Sequence, residues 1–106
     1  MSALRLKIST IKGVVFDEDV DSVYLVAETG AMGILPNRLP IIAALKKTGS
    51  VVKINRLDHS AEFYAIQAGA LSHKRNETII LAERCEKAAN EEAAKERVAS
   101  WNAKEA

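Results

Sequence analysis

The chain has 106 residues, of which 15 are basic and 14 acidic, for a net charge of +1. This length predicts one domain with a modest core, and the intermixed, nearly neutral charge argues against a nucleic-acid or anionic-membrane binder. A single cysteine, Cys85, excludes an internal disulfide and, with two distant histidines, a zinc cluster. No apolar run reaches spanning length and the start lacks a signal-peptide core, so we expect a soluble protein made in the cytoplasm.

The first part of the chain predicts strands. Residues 4–10 alternate apolar and polar side chains, which is typical of a strand with one solvated face. Residues 14–16 predict a second short strand that runs into four acids between positions 17 and 21. These acids lack the glycine and the final Glu of a calcium loop, so we expect a solvated acidic turn. Residues 20–28 predict the next strand.

The stretch 30–40 holds both prolines and two of the five glycines. Neither residue type suits a central strand, so this stretch predicts a loop that turns twice. Met32, Ile34, Leu35 and Leu39 are more apolar than a freely solvated loop would be. The loop is therefore either a crossover folded onto its own domain or a docking surface for a partner.

Residues 41–45 continue the apolar content beyond Pro40, and residues 50–56 alternate as a further strand; a polar turn follows each run. His59 lies in the second of these turns. No nucleophile or orienting carboxylate is identifiable beside it, so we interpret it as a solvated turn residue rather than a catalytic base.

Residues 62–71 predict a half-buried strand in which Gly69 indicates a bulge or a close backbone approach. A polar turn at 73–76 and a last apolar run at 78–82 follow. Many short strands separated by turn signals, with no helical period before residue 84, favour a β-sandwich or a barrel.

The period changes in residues 84–106, which contain no Gly or Pro and are rich in Ala and Glu. Glu91 precedes Lys95 by four residues, which favours helix. The apolar positions on one face of this helix are Ala94, Val98 and Trp101. Such a helix is marginal alone and must pack on its own sandwich or on another subunit. We divide the chain into a β domain, 1–84, and a C-terminal helical region, 85–106.

With these pieces in place, the chain resembles the epsilon subunit of rotary F-type ATP synthases, which is called delta in mitochondria. The loop of that family reads Gly-x-x-Gly, two further apolar residues, then Pro-x-His-x-Pro. The matching positions here are Gly30, Gly33, Ile34, Leu35, Pro36 and Pro40. Arg38 stands where the family usually has His. Residues 64–71 resemble the family's strand with a Gly-Gly bend, although Ala68 replaces the first glycine, and the whole match covers about residues 4–84.

The resemblance implies a mainly β fold, a two-layer antiparallel β-sandwich, with a C-terminal helix. It also implies a non-catalytic subunit without cofactor or metal, at the foot of the central stalk. There the subunit would bind the gamma subunit and the c-ring, peripheral to the cytoplasmic face of the membrane, and couple ion flow to ATP synthesis or hydrolysis. The positions expected to contact the ring or gamma are Thr10, Ala31, Met32, Leu35 and Arg38. Ala31 stands where many relatives carry Glu.

The C-terminal part differs from the family, which commonly has two helices, whereas this chain leaves room for one. The nucleotide motif of the family's hairpin, an aliphatic residue followed by Asp-x-x-Arg-Ala, is not matched. Lys87 replaces its Asp and Asn90 its Arg. The resemblance therefore implies neither appreciable ATP binding nor a long inhibitory arm, and the choice between proton and sodium stays open.

Other classes explain less of the sequence. No catalytic triad, phosphate loop or metal set is recognisable, which argues against an enzyme. A nucleic-acid reading of the Gly-x-x-Gly needs flanking helices and aromatic side chains that this sequence does not offer. The alternative we keep is a β-sandwich interaction adaptor of another assembly.

Overall fold

A computed structural model describes residues 3–105, with side chains described from residue 3 to 102. Within those residues lie seven strands and one helix: β1 Leu4–Thr10, β2 Gly13–Ala27, β3 Gly30–Ile34, β4 Ile41–Ala44, β5 Ser50–Arg56, β6 Ala61–Lys74, β7 Glu77–Ala88 and α1 Glu91–Glu105. No helix in this part of the chain is both long enough and apolar enough to cross a membrane.

Three long strands, β2, β6 and β7, connect two layers. The first half of β2 pairs with β1, and its second half pairs with β3 and β5. Likewise β6 pairs first with β5 and later with β4, while β7 follows β6 along its length. We call β3-β2-β5-β6-β7 the helix layer, because α1 packs on it, and β4-β6-β7-β1-β2 the open layer. The expected mainly β sandwich with one C-terminal helix is confirmed.

One strand pair differs from the expected antiparallel arrangement. β1 lies between β2 and β7, and it pairs with β2 antiparallel and with β7 parallel. β1 and β2 form a hairpin, whereas β7 pairs with the other edge of β1. Because β1 and β7 are far apart in the sequence, local sequence patterns could not reveal their parallel pairing.

β6 bends where it passes from one layer to the other. Ala68 and Gly69 both have positive φ, 56° and 118°. A Cβ on Gly69 would lie 1.9 Å from the carbonyl oxygen of Leu81. The close backbone approach predicted at Gly69 is therefore confirmed, and this position requires glycine.

The acidic turn expected at 17–21 is wrong, because these residues lie inside β2 with their charged side chains exposed. Arg5 Nε donates to Asp17 Oδ1 at 2.9 Å across the β1–β2 pair. Arg56 Nη2 donates to Glu18 Oε1 at 2.7 Å. Basic residues on neighbouring strands thus reduce the repulsion that would otherwise oppose an acidic strand.

The stretch expected as a loop at 30–40 divides into two parts. Its first half is the edge strand β3, which pairs with β2. Ile34 is fully buried and Met32 packs half-buried against the core, whereas Leu35 and Leu39 are exposed. The two alternatives weighed for this stretch thus apply to different residues: some fold inward and others face solvent.

The last strand extends past the boundary expected after residue 84. β7 continues to Ala88 because residues 63–67 of β6 supply partners for it, and α1 begins at Glu91. Asn90 caps the helix, its Oδ1 accepting from Ala93 N at 2.8 Å. The strand-to-helix transition therefore lies at Asn90.

Candidate docking surface

The outer face of the open layer carries exposed apolar side chains at adjacent register positions. Ile42 pairs with Ser72, which pairs with Ile79, and the next row runs from Ala44 through Ala70 to Leu81. Ser9 follows Leu81 and is paired in turn with Val14. The apolar members of this surface, the open face, are Val14, Ile42, Ala44, Ala70, Ile79 and Leu81.

These side chains form one patch rather than isolated exposed residues. Side chains directly opposite on paired strands have Cβ atoms about 4.5–5.5 Å apart, which joins Ala44, Ala70 and Leu81. Ile42 and Ile79 adjoin this row along their own strands, with Ser72 between them. Ile42 is 82% exposed, Leu81 58% and Ile79 42%. A contiguous apolar patch on a soluble domain is typical of an interaction site, because its exposure to water is otherwise unfavourable.

The loop after β3 forms one corner of the open face and is tied to the β6–β7 turn. Asn37 N donates to Asn76 Oδ1 at 2.6 Å, and Asn76 Nδ2 donates to Asn37 Oδ1 at 3.2 Å. Arg38 N closes a turn onto the carbonyl of Leu35 at 3.3 Å. Leu39 follows, 78% exposed, and leads into β4. The loop is thus held in a fixed position beside the open face.

His73 lies beneath this loop and not in the polar turn expected at 73–76. β6 continues through it, and its side chain is only 1% exposed. Its Nδ1 is 2.7 Å from Thr78 Oγ1, while Nε2 has no hydrogen-bond partner among the described residues. Burial lowers the pKa of His73 below its usual value; the charge of Arg38 also lowers it, whereas the Arg38 backbone acts in the opposite direction.

The five positions predicted to contact partners fall in three regions. Thr10 ends β1, five residues beyond Arg5, whose backbone N–H bonds the Asn76 carbonyl near the loop. Thr10 and the loop residues Leu35 and Arg38 therefore lie at opposite ends of β1, about 17 Å apart at ~3.4 Å per residue. Both ends border the open face.

Ala31 and Met32, in contrast, belong to β3 in the helix layer. Ala31 is exposed, and it pairs with Val26 in the second half of β2, the half that belongs to the helix layer. The structure does not bring these two residues together with Thr10.

The helix positions singled out in the sequence lie against the helix layer. Ala94 and Trp101 are buried and Val98 is half-buried. The guanidinium of Arg84 lies 5.0 Å from the centre of the Trp101 ring, and Asn102 Nδ2 donates to the Thr48 carbonyl at 2.8 Å.

Sequence reasoning missed Ile42, Ile79 and Leu81, although a signal was present. Where a strand buries only one face, consecutive apolar residues must place at least one outside. The runs 41–42 and 79–81 are of this kind. Their meeting on one surface depends on the β6–β7 hairpin and on the pairing of β4 with β6, from which it is separated in sequence by β5.

Cys85 is half-buried, and burial raises the pKa of its thiol to about 12. The thiol therefore stays protonated and weakly nucleophilic at neutral pH. Among the residues described, no group of three His, Cys, Asp or Glu side chains could hold a metal ion.

The structure is thus a β-sandwich with one outer face partly covered by α1 and the other carrying exposed apolar side chains. Residues 3–88 match the family model for the β-sandwich domain of the ATP synthase delta/epsilon chain. The chain belongs to this family.

Individual relatives belong to the same family as the matching model. The chain is 34% identical over 86 residues to the ATP synthase epsilon chain of Bacillus licheniformis, covering 81% of this chain and 63% of that relative. It is 30% identical over 102 residues to the epsilon chain of Anoxybacillus flavithermus, covering 92% and 74%. The chain spans slightly less than two thirds of the first of these relatives.

The fold also matches solved structures. A chain in the cryo-EM structure of the Euglena gracilis mitochondrial ATP synthase, comprising OSCP, F1 and c-ring, superposes with a TM-score of 0.76 at 13% identity, covering 97% of this chain and 66% of that one. A chain of the Tetrahymena thermophila mitochondrial ATP synthase, central stalk and c-ring, gives 0.65 at 11% identity, covering 78% and 65%. At these identities the match supports the fold.

Proposed function

We propose that this chain is a non-catalytic central-stalk subunit of a rotary F-type ATP synthase, bound to the gamma subunit through its open face. The observation that carries the proposal is that Ile42, Ile79 and Leu81 are exposed on one face of a sandwich of this family. Such a surface gains stability when a partner removes it from water, at roughly 25 cal/mol per Å² of apolar area.

The loop at one corner of this surface would contact the c-ring. Leu35 is half-exposed there, and Arg38 adds a positive charge in a position fixed by the Asn37–Asn76 hydrogen bonds. A protein held in this way at the foot of the stalk would turn with the ring and couple ion flow to ATP synthesis or hydrolysis. It would be peripheral to the cytoplasmic face of the membrane.

Reconstitution of the stalk with charged variants of the open face tests the gamma contact. Ile42→Asp and Leu81→Asp each place a carboxylate where an apolar contact would desolvate it, so we expect at least a tenfold loss of affinity for gamma. Leu57→Asp is the matched control, because Leu57 is 49% exposed in the β5–β6 turn, outside the open face. Normal assembly of all three folded variants would contradict the proposal and favour an adaptor of another assembly.

The ring contact is tested separately with Leu35→Asp and Arg38→Ala in the assembled enzyme. We expect ATP hydrolysis to become partly uncoupled from ion transport while gamma binding persists. Full coupling in both variants would remove the loop from the interface with the ring.

A further inference from the structure

The last part of β7 has one side that is not paired with another strand. β1 pairs with β7 only as far as Leu81, whereas β6 pairs with the opposite side of β7 up to Ala88. In the part of the chain that the structure describes, no strand other than β6 pairs with residues 83–87. We call the free side of residues 83–87 the β7 edge. Such an edge can pair with a further strand, because its backbone donors and acceptors are free.

The register of β5 and β6 determines which backbone groups of β6 point to β7. Arg56 N donates to the Ser60 carbonyl at 2.8 Å, so these two residues form a hydrogen-bonded pair at the start of the β5–β6 ladder. In antiparallel strands such bonded pairs alternate with non-bonded pairs. Counted from this pair along the register, Ser50 and Ile66 also form a bonded pair. The backbone groups of Ile66 therefore point to β5, and those of its two neighbours point to β7.

The same alternation continues across β7. The β7 partners of these two neighbours are Glu86 and Arg84, whose N–H and C=O groups therefore point to β6. The backbone groups of Cys85 and Lys87 point outward at the β7 edge. Among the described residues, no turn or loop backbone group bonds Cys85 or Lys87. Donors and acceptors that repeat every second residue, about 6.8 Å apart, match an extended chain, whereas a helix satisfies its backbone groups internally.

The charges of the β7 edge are complementary to those of a second copy in antiparallel orientation. The segment reads Glu-Arg-Cys-Glu-Lys. When Cys85 lies opposite Cys85 of the second copy, Arg84 lies opposite Glu86. In the same register, Glu83 lies opposite Lys87. Each pair of opposite charges occurs twice because of the two-fold symmetry, and such cross-strand pairs stabilise a sheet.

The neighbouring registers are unfavourable for the same reason. Bonded pairs must join outward-pointing residues of both copies, so the second strand can move only in steps of two residues. One step in one direction places Glu86 opposite Glu86 of the second copy. One step in the other direction places Arg84 opposite Arg84. Like charges directly opposite one another destabilise paired strands, so the charges select the register centred on Cys85.

The space beside the β7 edge is open. It has a volume of about 340 Å³ and lies between residues 83–86 and the β1–β2 turn. Ile11 in this turn is 92% exposed. Cys85 packs half-buried against the core, so an added strand would cover its free side and bury further apolar surface.

From the free edge and its self-complementary charges we propose that this chain forms a two-fold homodimer. The β7 edges of the two copies pair antiparallel, centred on Cys85, and join their helix layers into one continuous sheet. The β7 edge belongs to the helix layer and the open face to the other layer, so this inference does not depend on the proposed stalk function.

Sedimentation velocity of the 106-residue protein over a concentration series tests the dimer, and we expect a reversible monomer–dimer equilibrium. Glu86→Arg and Arg84→Glu each replace two attractive pairs by two repulsive ones, so each should weaken dimerisation roughly tenfold. The combined variant exchanges the charges and should restore dimerisation. Glu96→Arg, the same charge change on the exposed side of α1, is the matched control and should leave the equilibrium unchanged.

The combined variant also separates the dimer contact from contacts within one copy. Arg84 lies over the Trp101 ring, and Arg97 Nε is 3.4 Å from Glu86 Oε1. Exchanging the two charges restores neither of these internal contacts. Recovery of dimerisation therefore reports the pairing between copies alone.

Amide hydrogen exchange followed by NMR tests the register. The amides of Arg84 and Glu86 bond β6 and should be protected at every concentration. The outward amides of Cys85 and Lys87 should exchange more slowly as the protein concentration rises. Exchange at Cys85 that is independent of concentration while dimers form would contradict pairing through β7.

Three further results would overturn the proposal. These are a monomer at all concentrations, no recovery in the combined charge variant, and loss of the dimer in Ile42→Asp. The last result would assign self-association to the open face. Normal dimerisation of Ile42→Asp together with loss of its gamma binding would show that the two surfaces act separately.

Discussion

The two outer faces of the sandwich share the three long strands β2, β6 and β7 but differ in their exposure to water. On the helix layer, Ala94 and Trp101 cover the sheet, and the apolar residues beneath them are buried. On the open layer, Ile42 and Leu81 face solvent with no covering element among the described residues. The difference shows that α1 covers part of one face, whereas the apolar side chains of the other face stay exposed to water.

The largest expected effect on stability comes from a substitution at the bend where β6 passes from one layer to the other. Gly69→Ala places a Cβ against the Leu81 carbonyl and also strains a backbone with φ of 118°, so we expect a loss of at least about 3 kcal/mol in the free energy of unfolding. Denaturant unfolding followed by circular dichroism measures it. Gly30→Ala is the control, since its φ is 128° but no atom lies within 4 Å of the added Cβ. Equal losses in both variants would show that φ strain alone sets the cost.

The next largest effect comes from weakening the contact between α1 and the helix layer. Trp101→Ala removes a buried ring, and we expect a loss of about 3 kcal/mol and release of α1 from the sheet. Limited proteolysis would show faster cleavage within the helix. Glu96→Ala, on the exposed side of α1, should leave the cleavage rate unchanged.

A chain ending after Ala88 lacks α1, so neither outer face of its sandwich is covered. It tests whether the sandwich folds without the helix. Its paired strands are complete, so we expect a cooperative thermal transition and a β-type spectrum. A chain ending at Arg84 would lose four residues of β7 that pair with β6, and we expect it to be less stable. Non-cooperative melting of the chain ending at Ala88 would mean that the helix is needed for the sandwich to fold.

A smaller effect depends on pH and belongs to the open layer. The folded protein lowers the pKa of His73 below its ordinary value of 6.5, so the unfolded chain binds the proton more readily. The stabilising contribution is complete above pH 6.5 and is lost as pH falls below it. We expect the free energy of unfolding to decrease as the pH falls below 6.5.

His73→Gln isolates this contribution. Its amide can bond Thr78 without titrating, so the variant should show a flatter stability profile over the same range. An unchanged slope would assign the pH dependence to other groups.

The smallest effect concerns the contact of Arg84 with Trp101. Arg84→Ala removes a cation 5.0 Å from the ring centre, and at this exposed site we expect a loss of about 0.5–1 kcal/mol. Glu83→Ala, the exposed neighbour on β7, is the control. Thermal unfolding of both variants, with Trp101 fluorescence as the probe, distinguishes them; equal midpoints would show that the cation contributes nothing measurable.

The sequence by itself determined most strands, a bulge or close backbone approach at Gly69, and the C-terminal helix with Ala94 and Trp101 on one face. These features are local: alternation, turn residues and helical spacing act over a few neighbouring residues. The ordered match of such local features over residues 4–84 also sufficed for the family resemblance.

Only the tertiary structure decided which residues from separate parts of the chain lie next to one another. The acids at 17–21 form a strand because Arg5 and Arg56 lie across from them, and His73 is buried because the loop at Arg38 covers it. The open face arises because β4 pairs with β6 and β1 pairs with β7, strands that do not follow one another in the sequence. Because each long strand serves two layers, its alternation alone does not say which side is covered, and this is set by where α1 packs.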